Sequence, residues 1–156
     1  MIKKNIGNSG YTLIELLVGI SIIGIVFSIG LAGYREFSRR QELVGVIKRI
    51  VADLRLSQQL AIGGQKPEGE VCNVLDGYSF SRISQTEYNL IANCSNANHI
   101  IKVVELPSNV SLTQGSVMFK ALGQGTNLEE NLTFTVTNVV SSSTGTVTIG
   151  VGGNVE

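Results

Sequence analysis

Histidine, proline and cysteine are all scarce in this chain, and neither sign of charge is in surplus. It has one histidine, two prolines, two cysteines, and 12 basic residues balanced by 12 acidic ones. His99, in Asn98-His99-Ile100 at an expected strand start, has no second histidine and no nearby cysteine pair with which to build a zinc site or a catalytic triad. Gly123-Gln124-Gly125 and Gly150-Val151-Gly152-Gly153 lack the Lys-Ser/Thr ending and the strand-to-helix setting of a phosphate loop, so they read as turns. Glu129 and Glu130 read as a solvated loop edge. With no nucleophile beside a base, the expectation is a protein that is not an enzyme and takes no metal and no cofactor. At 156 residues the chain has room for one ordinary domain and an appendage.

The cancelling charges are unevenly spread. Residues 1–60 carry eight basic and four acidic side chains, whereas residues 61–156 carry four basic and eight acidic ones. Nucleic-acid binding draws its non-specific affinity from Lys and Arg clustered against phosphates, so nucleic acid is not an expected partner of the acidic portion.

What the chain does have is a long apolar run. Residues 16–34 are nineteen positions without a charge, rich in Ile, Leu, Val and Gly. As a helix they extend roughly 28 Å at about 1.5 Å per residue, close to the hydrocarbon thickness of about 30 Å. Three readings compete: a cleaved secretory signal, a plain membrane anchor, and a helix that moves from membrane into an assembly. A secretory signal has a shorter apolar region and a small-x-small cleavage site, for which Ser28-Ile29-Gly30 would serve. Against it stands Glu15, a carboxylate at the edge of the run, where burial costs a few kcal/mol unless the charge is paired or neutralised. Cys72 and Cys94 both lie beyond the run. Paired, they close a loop worth on the order of 3 kcal/mol and require an oxidising compartment; the alternative is two free buried thiols.

The segment Gly10-Tyr11-Thr12-Leu13-Ile14-Glu15-Leu16-Leu17 closely resembles the processing site of type IV prepilins and type II secretion pseudopilins. The resemblance implies that a prepilin peptidase cuts after Gly10 on the cytoplasmic side, removes residues 1–10 and methylates the new amino terminus at Tyr11. Glu15 then becomes the fifth residue of the mature chain, placed to pair with the amine of a neighbouring subunit's Tyr11 and set the axial stagger of a filament. Gly19, Ser21, Gly24, Ser28, Ala32 and Gly33 let such helices approach closely. Two departures from the family pattern stand out: Tyr11 replaces the more usual Phe or Met, and the run has no proline, offering Gly30 and Gly33 instead. Glycine costs a helix about 1 kcal/mol against about 3 for proline, so a more continuous helix is expected.

Beyond Tyr34 the pattern turns amphipathic, with Leu43, Ile47, Ile50, Leu54 and Ala61 at 3-to-4 spacing, and the helix is expected to continue to about Ile62, where Gly63-Gly64 stops it. The remainder reads as strands at 71–75, 78–83, 88–92, 100–106, 110–113, 116–121, 132–139 and 146–151 and at the last few residues, with a hairpin loop at 141–145. Residues 132–137 and 146–149 are the clearest, because apolar side chains alternate with threonine.

Leu106-Pro107 followed by Val110, Val117-Met118-Phe119 with Gly123, and the final strands around Gly145 look like the head of GspH/FimT-type minor pilins and pseudopilins. That resemblance implies two antiparallel sheets packed by the helix. The expected fold is α+β, the pilin fold: a long N-terminal helix on an antiparallel β-sheet or β-sandwich head. Its expected parts are a leader (1–10), a transmembrane and assembly helix (11–34), its amphipathic continuation (35–62) and a β-rich head (63–156). The expected function is that of a structural subunit, a minor pilin or pseudopilin, of a type IV pilus or type II secretion pseudopilus. Its partners are then the prepilin peptidase, membrane lipid before assembly, and other pilin subunits. It is expected to cross the inner membrane once, head on the extracytoplasmic side, and then to enter a pilus or pseudopilus at the cell surface or in the periplasm. The alternative is a minor pilin acting as a binding module in DNA uptake or adhesion.

Overall fold

A computed structural model describes residues 11–69 and 71–156. Gly10 and the rest of the expected leader lie outside the described residues. The chain divides into two compact units, Met1–Ser38 and Arg39–Glu156. One helix, α1 (Leu13–Ile62), contributes to both.

In the second unit α1 carries one buried stripe: Leu43, Val46, Ile50, Leu54 and Ala61 are buried, with Ile47 and Val51 partly so. Lys48, Arg49 and Arg55 on its other faces are exposed. The 3-to-4 spacing of the apolar positions puts them on one side of the helix. The helix stops through the backbone geometry of glycine. Gly64 takes a left-handed φ of +58°, which lets its amide donate to the Ala61 carbonyl (3.0 Å) and the Gln65 amide to the Leu60 carbonyl (3.1 Å). These bonds satisfy carbonyls that the helix end would otherwise leave orphaned.

The head folds into two antiparallel sheets. The strands are β1 (Leu75–Ser84), β2 (Glu87–Cys94), β3 (Asn98–Glu105), β4 (Val110–Leu112), β5 (Ser116–Lys120), β6 (Leu132–Asn138) and β7 (Ser143–Ile149). A four-stranded sheet has the order β3-β2-β1-β5 and a three-stranded sheet the order β4-β6-β7. The chain therefore crosses to the second sheet at β4, returns to pair β5 with β1, and crosses again to the β6–β7 hairpin. Inward-facing Phe134, Val136, Val147 and Ile149 are fully buried, while the intervening threonines face outward, Thr133 meeting Thr148 across the hairpin at 3.2 Å. Phe80 joins the sheets: its ring stacks on Tyr88 at 4.6 Å and meets Phe134 of the other sheet edge-on at 5.2 Å. At Gly145 on β7 a Cβ atom would collide with the Ile47 side chain, so glycine lets this strand approach α1.

Three expectations need correction. Residues 71–75 form no strand before Leu75. Their backbone groups bond instead to a side chain and a turn, Val71 and Asn73 to the Asn96 amide and Val74 to the Ser95 amide. The β6–β7 turn falls at 139–142 rather than 141–145, because the Asn138 side-chain oxygen accepts from the amides of Val140 (3.0 Å) and Ser141 (3.1 Å) and closes the turn early. The final residues make only an isolated bridge, Ile149 to Val155.

A buried carboxylate ties helix to sheet. Asp53, 5% exposed, accepts from the Tyr88 hydroxyl at 2.7 Å and from Lys102 Nζ at 2.6 Å. Asp53→Ala strands both donors and is expected to lower unfolding free energy by about 2–3 kcal/mol, the lower range because Lys102 is partly solvated. Asp53→Asn, which still accepts from Tyr88, should lose less; equal midpoints for Ala and wild type in urea would refute the tie.

Burial raises the Tyr88 hydroxyl above its ordinary value of 10, reinforced by its bond to the Asp53 carboxylate. Burial also raises Tyr78, which donates to the Gln65 carbonyl at 2.6 Å. Because the folded values are raised, the stability these hydroxyls contribute is complete below pH 10 and is lost as pH rises above it, where unfolded phenols ionise first. In an ultraviolet titration, the Tyr88 phenolate should appear only as the head unfolds, and Tyr78 should ionise above the ordinary phenol range.

Candidate functional site

The first described unit is apolar and bare. Tyr11 is 85% exposed and Phe27 68%, and the large apolar residues between them are exposed as well. Among the described residues α1 is the one helix long and apolar enough to cross a membrane; its most apolar stretch has a mean hydropathy of 2.4 with none of it buried. A helix that is apolar on all sides belongs in a protein core or a membrane. The local chemistry suits such a medium. Ser21 Oγ donates to the Leu17 carbonyl at 2.9 Å and Ser28 Oγ to the Gly24 carbonyl at 2.8 Å, so both hydroxyls are satisfied within the helix. Apart from the adjoining backbone of the helix itself, no atom lies within 4 Å of a Cβ built on Gly19, Gly24 or Gly33, which leaves these positions open to close approach by another helix. The side-chain surroundings of Gly30 and Ala32 lie outside the described residues.

Glu15 sits in the first turn of α1. Its amide donates to Thr12 Oγ1 at 3.3 Å, and its carboxylate accepts from the Thr12 amide at 3.5 Å and the Thr12 hydroxyl at 3.4 Å. This is a reciprocal cap in which residue and partner three apart satisfy each other's backbone donors. The Thr12-x-x-Glu15 spacing ahead of an apolar run marks it in the sequence, although reading Glu15 only as an assembly charge misses it. The carboxylate bonds are long, at the limit of useful geometry, and the group is exposed. Glu15 is thus held loosely by its own chain, at the end of the helix whose dipole favours a negative charge.

In the head, Cys72 and Cys94 are bonded to each other, their Cα atoms 5.4 Å apart, and both are buried. The bond joins the loop before β1 to the end of β2. His99 lies half-buried on β3. Among the described residues no group of three or more His, Cys, Asp and Glu side chains is placed to hold a metal ion. Gly123 and Gly125 have φ of +74° and +78°, as tight turns require. Sequence reading also missed Asp53, whose place on the buried stripe between Ile50 and Ser57 distinguishes it from the solvated charges of the same helix.

Residues 7–31 match a family described as the prokaryotic N-terminal methylation motif. The match supports a type IV pilin-like protein, a membrane-anchored structural subunit processed by prepilin peptidase and assembled with other pilin subunits. It takes in Gly10, Tyr11, Glu15 and most of the apolar run, and it ends before the head. No curated protein and no solved structure gives a significant match to the chain.

The disulfide closes a loop with a sequence separation of 22. Replacing Cys72 and Cys94 together by alanine is expected to cost about 3 kcal/mol of stability, read as a lower urea midpoint with a steeper slope, because the unfolded chain without the cross-link exposes more surface. An unchanged midpoint would show that the bond constrains nothing in the unfolded chain.

Proposed function

We propose that this chain is a structural subunit, a minor pilin or pseudopilin with a GspH/FimT-type head, of a type IV pilus or type II secretion pseudopilus. Residues 1–10 are its leader, 11–34 its transmembrane and assembly helix, 35–62 the amphipathic continuation and 63–156 the head. A prepilin peptidase cuts after Gly10 and the amine of Tyr11 is methylated. The subunit waits in the inner membrane as a single pass with its head extracytoplasmic, then polymerises through α1. One observation carries the reading: within the matched motif, an uncovered apolar helix bears a single carboxylate, Glu15, four residues beyond Tyr11.

The chemistry follows from where that carboxylate goes. In a filament core built from such helices water is excluded, and a bare carboxylate there costs several kcal/mol. The amine of a neighbour's Tyr11 is a cation at matching depth. Forming that pair exchanges the long bonds to Thr12 for a charge-assisted contact, and the pairing distance fixes the axial offset between subunits. The acidic balance of the head leaves nucleic-acid capture without its electrostatic basis, and the reading assigns no reaction to the protein.

Mass spectrometry of the mature protein tests the cut: the expected N-terminus is methylated Tyr11, and a start at Leu31 would identify an ordinary secretory signal instead. Glu15→Ala and Glu15→Val are expected to be cleaved and inserted normally yet to enter filaments poorly. Normal assembly of either variant would refute the pairing.

A further inference from the structure

The chain carries three Asn-x-Ser/Thr tripeptides, the pattern at which an asparagine amide can receive a sugar: Asn93-Cys94-Ser95, Asn109-Val110-Ser111 and Asn131-Leu132-Thr133. The structure separates them. Asn93 is half-buried on β2, its Nδ2 donates to Ser79 Oγ, and its middle residue is locked in the disulfide with Cys72. Asn109 is half-buried, its Nδ2 donates to Glu42 at 2.7 Å, and its carbonyl accepts from the Val139 amide at 2.9 Å. In both, the nitrogen that would have to react is already engaged inside the fold.

Asn131 differs at each point. It lies in the loop that leads into β6, and it is exposed together with Glu129, Glu130 and Thr133. Among the described residues, Glu129, Glu130 and Asn131 make no side-chain hydrogen bond and no ion pair. The loop is pinned just before them, where the Asn127 amide donates to the Met118 carbonyl at 3.0 Å and the Leu128 amide to Thr126 Oγ1 at 3.2 Å. β4 pairs with β6 only over residues 136–138, so the first residues of β6 are flanked by β7 alone. The Thr133 hydroxyl meets Thr148 Oγ1 at 3.2 Å on the surface. An enzyme can therefore reach the amide and the hydroxyl together without opening the head.

We infer that Asn131 is the acceptor of an N-linked oligosaccharide, with the Thr133 hydroxyl as the mark that a glycosyltransferase reads. The donor class is an oligosaccharide linked to a polyprenyl diphosphate. Asn131 Nδ2 forms a bond to C1 of the first sugar. The bond from C1 to the diphosphate oxygen breaks, its electron pair leaving on the polyprenyl diphosphate, and one amide proton passes to a base of the enzyme. A site that holds a diphosphate is cationic, so Glu129 and Glu130, directly ahead of the acceptor, draw this loop towards it. The inference rests on the proposed reading only in that the head is held at a membrane, where a lipid-linked donor is found.

The test is mass spectrometry of the full mature chain isolated from the cells that produce it. Trypsin cuts last at Lys120, and the three tripeptides fall in the separate peptides 83–102, 103–120 and 121–156. Peptide 121–156 is expected to exceed its sequence mass by that of an oligosaccharide, with fragment ions placing the sugar on Asn131, while the other two keep their sequence masses. Asn131→Gln and Thr133→Ala should each lose the added mass, and Thr133→Ser, which keeps the hydroxyl, should retain it. Bare peptide 121–156 from the unsubstituted chain overturns the inference. So does sugar that survives Asn131→Gln or Thr133→Ala, which would place it on a hydroxyl of the tail. The mature N-terminus, read from the same sample, separates the inference from its premise. Methylated Tyr11 with bare Asn131 removes only the glycan, and glycosylated Asn131 on a chain starting at Leu31 removes only the filament reading.

Discussion

Uncovered apolar surface on the first part of α1 is the constraint on which everything else in this protein depends. Eleven large apolar side chains between Leu13 and Phe27 are exposed. Burying a side chain of this kind contributes roughly 1.5–3 kcal/mol, so together they represent on the order of 20 kcal/mol of transfer free energy. A folded domain is stable by only about 5–15 kcal/mol. The medium in which this helix sits therefore outweighs the stability of the head attached to it. The match to the N-terminal methylation motif covers this same stretch.

Past Arg39 the same helix answers to a different constraint. Its apolar residues narrow to a stripe, its charges move to the other faces, and the two sheets supply the partner surface that the first stretch lacks. Phe80, between Tyr88 and Phe134, makes the sheets one core. Gly145 brings β7 close to Ile47, and the Cys72–Cys94 bond fastens the entry to β1 against the end of β2. These features pack Arg39–Glu156 into one compact unit.

Features that rest on local chemistry were legible in the sequence. An uncharged run, a Gly-Gly helix stop and strands with alternating threonine each announce themselves over a few residues, and α1 and the β6–β7 hairpin follow from them. The misread places depend on partners distant in sequence or on a single side chain. Residues 71–75 have strand composition, but their backbone bonds are taken up by Asn96 and Ser95. The last hairpin turns early because of the Asn138 side chain. Asp53 is not singled out by its sequence neighbourhood because its partners, Tyr88 and Lys102, come from strands 35 and 49 residues away. At the candidate site, the Thr12 cap of Glu15 was visible as a spacing and was overlooked in favour of a longer-range role for the same carboxylate.

Asp53 and Glu15 are carboxylates of the same helix in opposite settings. Asp53 is buried, and both its oxygens accept short bonds, one from a hydroxyl and one from an ammonium group. Its charge is answered internally, and nothing remains for a second molecule to offer. Glu15 is exposed, and its bonds to Thr12 are 3.4–3.5 Å long. In water that is sufficient, since solvent supplies the rest. In the proposed filament core solvent is excluded, and the carboxylate there is either paired with a cation or neutralised. Among the described residues no side-chain ammonium or guanidinium lies within 19 positions of Glu15 along α1, the first being Arg35. At about 1.5 Å of rise per residue, Arg35 stands roughly 30 Å away along the helix. Under the proposed reading, in which residues 1–10 with Lys3 and Lys4 are removed, the compensating charge is the amine of a neighbour's Tyr11.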